Sequence, residues 1–322
     1  MHGGQDDPPT LQSSRKQGRR TGAQVASLII NADDLGIAPS IDEGIFEAHR
    51  EGIVTSTTAF ATSPRFEQVV NRAHDAGLAL GLHLNLTLGA CACKPEGPTL
   101  LTDEQGFFKL TSRQLPRLLG KAHRNRELLA DIRNEFSAQF AKACDAGISF
   151  THFDSHQYVH MIPAVFAVAA ELAPRFGFSR TRFAAEPMTR FHLGHRPLAV
   201  LARRNYIKWA WLRMVARRID NPLSSPDSFY GVLHSGVFDR STLLGYLGIL
   251  RKGSVTELGI HPGYPCAPTQ ANYPQPFVNG FIASPLRLQE LDAVTAPEVR
   301  QAVKDHRVQL ISYADLGTAG RS

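Results

Sequence analysis

The 322-residue sequence has few cysteines, and their spacing excludes two classes of protein. Cys91 and Cys93 are separated by one residue, while Cys144 and Cys266 are isolated, so the chain lacks a disulfide framework. The same spacing does not match the paired C-x-x-C elements of a zinc ribbon. We therefore expect a reducing environment and predict a cytoplasmic location.

Long apolar runs and nucleic-acid motifs are also missing. No run approaches the roughly 18 apolar residues that a membrane-spanning helix requires. Residues 1–24 are rich in Gly, Gln, Ser and Arg without an apolar core, so we expect a flexible tail and not a signal peptide. The formal charge is +6 at pH 7, but the basic residues are dispersed, and we predict no nucleic-acid partner.

Short apolar runs alternate with helical patterns along the rest of the chain. This alternation is typical of parallel strands joined by helical crossovers. Since no linker-like break follows the tail, we predict one α/β domain over residues 25–318. The predicted strands lie near residues 25–31, 53–61, 78–86, 148–153, 180–184, 229–234, 255–260 and 308–313. The predicted helices lie near residues 40–51, 65–76, 123–145, 161–176, 197–218, 239–251 and 285–305.

The segment 88–122 does not follow the alternation. Its Gly, Pro and Cys content indicates a long loop, and such loops are commonly binding loops or lids. A small hairpin through Phe107 and Phe108 that covers the core is the second possibility.

Polar side chains that suit a divalent metal follow several of the predicted strands. Because the carboxyl ends of parallel barrel strands meet at one face, we expect these side chains to build one centre. Neutral imidazole and carboxylate are preferred ligands of zinc and related metals. The candidates are Asp33 and Asp34 after the first strand, His83 in the third, His152, Asp154, His156 and His160 after the fourth, and His261 later in the chain.

Each of these motifs also has a purely structural interpretation. Asp-Asp-x-Gly often begins a turn, and His261 with Pro262 and Gly263 is compatible with a tight turn. A lone histidine such as His83 is commonly a hydrogen-bonded core residue. The dense cluster His-x-Asp-Ser-His-x-x-x-His over residues 152–160 favours the functional interpretation, because a solvated loop does not need three imidazoles.

The predicted chemistry is metal-assisted amide hydrolysis. A metal held by one Asp and two His keeps positions for water and a carbonyl oxygen, and it lowers the pKa of the water. The second Asp then serves as general base and a separate His as general acid, while surplus histidines orient ligands or contact substrate. The chain lacks a nucleophile-elbow motif, so we do not expect a serine nucleophile.

At these residues the chain resembles the YdjC-like carbohydrate deacetylases. The resemblance implies a distorted (β/α) barrel with seven to eight mostly parallel strands, a divalent metal, and removal of N-acetyl groups from amino sugars. It extends over most of the chain in the family's order. The matching stretches are NADDLG at 31–36, GIVTSTT at 52–58, GLHLNLT at 81–87, THFDSHQYVH at 151–160 and HPGY at 261–264.

Position by position, the resemblance implies Asp34, His83 and His156 as metal ligands. It implies Asp33 as general base and His261 as the acid. The family is commonly assigned magnesium, whereas two imidazoles favour zinc or cobalt by ligand preference.

The substrate-facing wall is less well specified. We place His152, Asp154, His160 and Tyr264 there as substrate-binding candidates. Tyr158 stands where the family often has a histidine, so this wall is the part of the site in which a difference is expected.

Two substrate classes occur within the family, chitooligosaccharides and an N-acetylglucosaminyl lipid associated with hopanoid biosynthesis. The segment 190–218 interleaves basic and aromatic residues, as in helices that lie on the anionic inner face of a membrane. The same segment is compatible with an ordinary crossover helix that has one buried face. The sequence is also compatible with a homodimer, with a non-catalytic glycan- or metal-binding barrel, and with a metal-dependent phosphoesterase.

Overall fold

The computed structural model describes residues 25–94, 96–109, 122–194, 203–266 and 282–317. The described residues form one seven-stranded sheet, in the order β4-β3-β2-β1-β6-β5, with β7 paired to the first residues of β1. Every pairing is parallel, which confirms the predicted α/β barrel-like class. The strands are β1 (Ser27–Leu35), β2 (Ser56–Ala59), β3 (Ala79–Leu84), β4 (Phe150–Ser155), β5 (Ser228–Tyr230), β6 (Val255–Ile260) and β7 (Gln309–Leu310).

Helices connect successive strands and cover the outer side of the curled sheet. The α-helices are α1 (Pro39–Arg50), α2 (Phe66–Asp75), α3 (Arg126–Asp145), α4 (Pro163–Leu172), α5 (Arg190–Gly194), α6 (Arg203–Ala216), α7 (Arg240–Ile249), α8 (Leu286–Thr295) and α9 (Pro297–Asp305). Short 3₁₀ helices lie at Ala122–Arg124, His156–Met161, Ala173–Phe176 and Tyr313–Asp315.

The alternation of side chains along β1 separates two environments. Leu28, Ile30 and Ala32 belong to the large apolar core between sheet and helices. Ile29 packs in a separate small cluster with Tyr313, on the opposite side of the strand. Farther along the side of β1 that carries Ile29, the side chains are polar, and the candidate site lies there.

Two predicted strands differ from the structure. The stretch 180–184 forms only single bridges, Phe153 with Thr181 and Arg180 with Ser224, and no extended strand. The predicted strand 229–234 ends at Tyr230, because Gly231 has a φ of +149° and lies against the backbone of Gly259.

The predicted helices 161–176 and 285–305 are divided in the structure, and the predicted helix 197–218 is described only in part. The stretch 161–176 becomes α4 flanked by 3₁₀ turns. The stretch 285–305 becomes α8 and α9, which meet at Ala296, whose extended conformation precedes Pro297. Within 197–218 the described helix begins at Arg203, and residues 197–202 lie outside the described residues.

Residues 99–109 form a small antiparallel hairpin through Phe107 and Phe108, in agreement with the second prediction for the segment 88–122. Ala90 bridges Phe107, Thr102 bridges Phe108, and Phe108 is buried in the main core. The predicted loop between residues 110 and 121 lies outside the described residues.

Candidate metal centre

Three buried side chains converge at the carboxyl ends of β1, β3 and β4. Oδ1 of Asp34 lies 3.6 Å from Nε2 of His83 and 3.3 Å from Nδ1 of His156. This oxygen is buried without a hydrogen-bond partner. One carboxylate and two imidazoles facing one point form a donor set that suits a divalent cation. The structure thus brings together the three residues that the family resemblance implies as ligands.

The backbone of β1 explains how adjacent aspartates reach one cavity. Neighbouring residues of a regular strand point to opposite faces. Here the register of β1 against β2 shifts between Ala32 and Leu35, and Asp34 adopts a left-handed conformation with a φ of +76°. Aspartate tolerates this region better than most residues, at a cost of about 1–3 kcal/mol. The distortion turns Asp34 towards the same side as Asp33.

A similar distortion follows the candidate ligand His156. Gln157 and Tyr158 have φ values of +55° and +58°, inside the 3₁₀ segment that begins at His156. The two left-handed residues turn the chain sharply at the end of β4. Consecutive strained residues of this kind are typical of functional sites.

The orientation of His83 is fixed by groups behind it. Its Nδ1 lies 2.6 Å from Oδ1 of Asp154 and 3.1 Å from Oγ1 of Thr58, which leaves Nε2 facing Asp34. Burial disfavours the charged ring, but the carboxylates of Asp154, Asp33 and Asp34 together outweigh burial and raise the pKa of His83. A carboxylate behind a ligating histidine raises the basicity of the ring and holds its tautomer. Asp154, predicted to bind substrate, is therefore placed to support a ligand.

His156 lies in an aromatic setting. The ring of Phe60 contacts both imidazoles, with centroid distances of 4.8 Å to His83 and 5.4 Å to His156. Burial lowers the pKa of His156, although Asp34 acts in the opposite direction. The ring is thereby favoured in the neutral form that ligates metals.

Asp33 is held by a buried arginine that the sequence interpretation missed. Nη1 and Nη2 of Arg182 each lie 2.7 Å from one oxygen of Asp33. The same guanidinium lies 2.7 Å from Oδ2 of Asp154 and donates from Nε to Glu257 at 2.8 Å. Its side chain is completely buried. The available signal was the number of carboxylates expected at one centre, because their negative charges require counter-charges.

A second donor set is already occupied by this arginine. Asp33, His83 and Asp154 also bring ligand atoms within 4.8 Å of one another. Because Arg182 binds both aspartates of that set, its positive charge stands where a cation would have to bind. The set containing Asp34 is therefore the better metal site.

His261 lies beside the general-base candidate. Its Nε2 is 3.9 Å from Oδ2 of Asp33, and its backbone N–H donates to Oε2 of Glu290 at 2.6 Å. Burial lowers the pKa of His261 to about 4, so the ring is neutral at pH 7.

Arg287 was also missed by the sequence interpretation, and it donates to Oδ2 of Asp34 at 2.7 Å.

Two predicted substrate contacts are deeply buried. His160 lies with Nδ1 2.5 Å from Oγ of Ser155 and Nε2 3.0 Å from the carbonyl oxygen of Arg182. His152 stacks on Tyr313 with centroids 3.6 Å apart. Both side chains are inaccessible to solvent. Both rings pack against protein groups in this structure, and their role in substrate binding stays a prediction.

Two tyrosines of the predicted substrate wall also bind protein groups. Tyr264 is 37% exposed, and its hydroxyl donates to Glu47 on α1 at 2.5 Å. Tyr158 is buried and donates to the carbonyl oxygen of Gly231 at 3.1 Å. Neither hydroxyl is hydrogen-bonded to a candidate ligand, and the role of Tyr264 in substrate binding stays a prediction.

The basic helix α6 is anchored through the aromatic residues that suggested membrane contact. Trp209 Nε1 donates to the carbonyl oxygen of Glu186 at 2.9 Å, and Trp211 packs against the core. Only Ile207 and Met214 are strongly exposed apolar residues of this helix. Within the described parts of the chain, no helix has the length and apolar character needed to cross a membrane.

Fold and site together define an α/β-barrel enzyme with a candidate metal centre at the carboxyl ends of its strands. The chain belongs to the YdjC-like protein family, whose sequence model matches residues 27–305. This membership confirms the resemblance found in the sequence motifs.

Several relatives match about 90% of this chain. A carbohydrate deacetylase of Clostridium beijerinckii is 30% identical over 292 residues, which cover 90% of this chain and 99% of the relative. A carbohydrate deacetylase of Mus musculus is 30% identical over 324 residues, which cover 90% of this chain and 94% of the relative. A crystal structure of a protein from Enterococcus faecalis V583 superposes with a TM-score of 0.65 at 27% identity. The match covers 90% of this chain and 98% of that protein, which is described as a putative cellobiose-phosphate cleavage protein.

Proposed function

We propose that this protein is a metal-dependent deacetylase that hydrolyses the N-acetyl amide of an amino sugar. The observation that carries the proposal is the convergence of Asp34, His83 and His156 directly beside Asp33. The names of the relatives supply the reaction class, since both the bacterial and the mouse relative are called carbohydrate deacetylase.

The three ligand candidates fit a single divalent cation. The buried, unpartnered Oδ1 of Asp34 faces both imidazoles, and a buried carboxylate oxygen without a partner is costly unless a cation occupies the site. Two imidazoles and one carboxylate favour zinc or cobalt, while the family resemblance favours magnesium. When bound, the cation polarises the amide carbonyl and lowers the pKa of water at the site.

Asp33 is placed to remove the proton from the attacking water. Arg182 donates to both of its oxygens, which fixes the orientation of the carboxylate and gives it a buried counter-charge. Asn31 donates to Oδ1 of Asp33 at 2.8 Å and further limits its rotation. A carboxylate held in this way serves as general base without having to reorganise during the reaction.

His261 is placed to deliver a proton to the leaving nitrogen. Its ring is neutral at pH 7, because burial lowers its pKa to about 4. The ring must therefore gain a proton as the reaction proceeds, and Asp33, 3.9 Å away, is the nearest group that acquires one. The amine nitrogen then receives the proton when the carbon–nitrogen bond breaks, so that acetate and a free amine are produced.

The substrate is an N-acetylated sugar, as a chitooligosaccharide or as an N-acetylglucosaminyl lipid. The glycolipid alternative depends on Ile207 and Met214, which are 64% and 49% exposed on the basic helix α6. The inward anchoring of Trp209 and Trp211 favours the oligosaccharide.

The test is acetate release by the full chain loaded in turn with Mg²⁺, Zn²⁺ and Co²⁺. Chitooligosaccharides and N-acetylglucosaminyl lipids are incubated with each form, and mass spectrometry follows the loss of one acetyl group. We expect activity that chelation abolishes and that Asp33→Asn lowers by about 10²–10⁴-fold.

The matched control is Asp75→Asn, the same chemical change at an exposed position on α2. It is expected to retain full activity. If no N-acetylated sugar or glycolipid loses an acetyl group with any metal, the proposal is wrong. Release of phosphate from a general phosphoester would favour a phosphoesterase instead.

A further inference from the structure

We propose that Cys91, Cys93 and Glu135 form a second metal site, which takes a thiophilic divalent cation such as Zn²⁺. The two sulfur atoms and one carboxylate oxygen lie within 4.8 Å of one another. The site lies on the hairpin that follows β3 and on α3, and it shares no residue with the candidate catalytic centre. Its sulfur ligands distinguish it chemically from the carboxylate–imidazole set, since thiolates favour zinc and other soft metals.

Glu135 organises the two cysteines. Its Oε1 and Oε2 accept hydrogen bonds from the backbone N–H groups of Ala92 and Cys93, both at 2.9 Å. These two bonds fix the Cys-x-Cys backbone against α3. The thiol of Cys91 then bonds the carbonyl oxygen of Cys93 at 3.0 Å. The loop is thereby held with both sulfur atoms turned to the same carboxylate.

The carboxyl group of Glu135 is buried without a cationic partner among the described residues. Glu135 is only 1% exposed, and among the described residues no arginine or lysine forms an ion pair with it. Burial raises the pKa of both thiols, and the carboxylate of Glu135 raises them further. A divalent cation reverses this situation, because it displaces the thiol protons and offsets two of the three negative charges that the ligands then carry.

An adjacent cavity leaves room for a further ligand. It has a volume of about 180 Å³, and Cys93, Asp131 and Glu135 are among its lining residues. Water requires about 30 Å³ in the liquid, so the cavity accommodates a water molecule as the fourth ligand of a tetrahedral site. Lys94 also lines the cavity, but it is exposed at the surface.

The proposed cation would connect the hairpin to the catalytic strand. Gln139 donates to Oε1 of Glu135 at 2.6 Å and also to the carbonyl oxygen of Asn85 at 2.7 Å. Asn85 follows His83 by two residues, and its own N–H donates back to Gln139 at 2.9 Å. Metal binding at the cysteines therefore stabilises the loop that leaves the end of β3.

The experiment uses Co²⁺ as a spectroscopic probe on the full chain, under a non-thiol reductant. Thiolate ligands give Co²⁺ a near-ultraviolet charge-transfer band, which a carboxylate–imidazole site does not produce. We expect the band in the unaltered protein, and we expect His156→Ala to retain it. Cys93→Ser and Cys91→Ser are expected to lose it, whereas Cys144→Ser, at an exposed cysteine, is the matched control and retains it.

A second measurement protects the test against misfolded variants. In the unaltered protein, Zn²⁺ is expected to slow alkylation of Cys91 and Cys93 by at least about tenfold, and chelation restores the original rate. Cys144 is expected to react equally fast with and without metal.

Three results would overturn the proposal. One is a Co²⁺-loaded protein without the band, and another is a band that survives Cys93→Ser. The third is a Cys91–Cys93 disulfide that persists under the reductant, seen as a mass two hydrogens lower. None of these measurements requires substrate turnover, so failure here is distinguishable from failure of the proposed deacetylase function.

Discussion

Removing the positive charge of Arg182 should destabilise the barrel severely. Arg182 is completely buried and contacts Asp33, Asp154 and Glu257 at 2.7–2.8 Å. Breaking a single buried ion pair by deleting one partner costs about 3–5 kcal/mol. Since Arg182→Met leaves three carboxylates without their cation, we expect a loss of about 5 kcal/mol. A typical domain has a total stability of about 5–15 kcal/mol, so this variant should be near its unfolding threshold.

The assay is urea unfolding of the metal-free protein, followed by circular dichroism. Arg182→Lys is the matched variant, because it keeps the charge but loses the planar fork that binds both oxygens of Asp33. We expect it to recover only part of the lost stability. In the double variant Arg182→Met with Glu257→Gln, one orphaned charge is removed, so the double variant should be more stable than the sum of the single effects predicts.

Two outcomes would refute this reasoning. If the free energy of unfolding of Arg182→Met lies within about 1 kcal/mol of that of the unaltered protein, the guanidinium does not stabilise the three carboxylates. If the effects of Arg182→Met and Glu257→Gln simply add, the two side chains are not energetically coupled despite their 2.8 Å contact.

Three further predictions concern the groups around this arginine. Asp154→Asn should weaken metal binding by about 10–100-fold in a calorimetric titration, because it removes the carboxylate behind His83; unchanged affinity would contradict that role. Gly81→Ala should lower stability by about 1–3 kcal/mol in urea unfolding, since a Cβ there would overlap the ring of His152; an unchanged midpoint would contradict this packing. Burial raises the pKa of Glu257 from 4.5 to about 7, so the native state keeps a proton that the unfolded chain has released; the free energy of unfolding should fall between pH 5 and pH 7, and fall less in Glu257→Gln.

The strand pattern and the ligand residues could be predicted from the sequence because both depend on local information. Apolar runs mark the strands, and parallel strands place the residues after them on one face. The side chains of Asp34, His83 and His156 therefore converge where the motifs indicated. Strand ends were less predictable, since a single bridge at Thr181 and a turn at Gly231 depend on neighbours that are distant in sequence.

The supporting arginines could not be found in this way. Arg182 and Arg287 contact their aspartates across 149 and 253 residues of sequence. No local pattern distinguishes them from the other basic residues of a chain whose net charge is +6. The burial of Asp33 and Asp34 implies that some cation must be nearby, but it does not say which one.

The sequence likewise does not show how deeply the predicted substrate contacts His152 and His160 are buried. The number of histidines near His156 indicates a site, but it does not show how far each ring lies from the candidate ligands. His152 precedes Asp154 by two residues on the same side of β4, so it lies deeper in the barrel and stacks on Tyr313. His160 turns back to Ser155 after the left-handed residues that follow His156.

The barrel interior thus changes character along its axis, and the order of its layers has a physical reason. Ile29 and Tyr313 form an apolar base, Arg182 with its carboxylates lies above it, and the candidate ligands come last. A buried general base needs a fixed counter-charge, because desolvation would otherwise favour its protonated form. Arg182 supplies that charge from the protein itself, independently of any metal. The general-base candidate Asp33 therefore keeps this counter-charge whether or not the metal site is filled, and Oδ1 of Asp34 remains available to ligate.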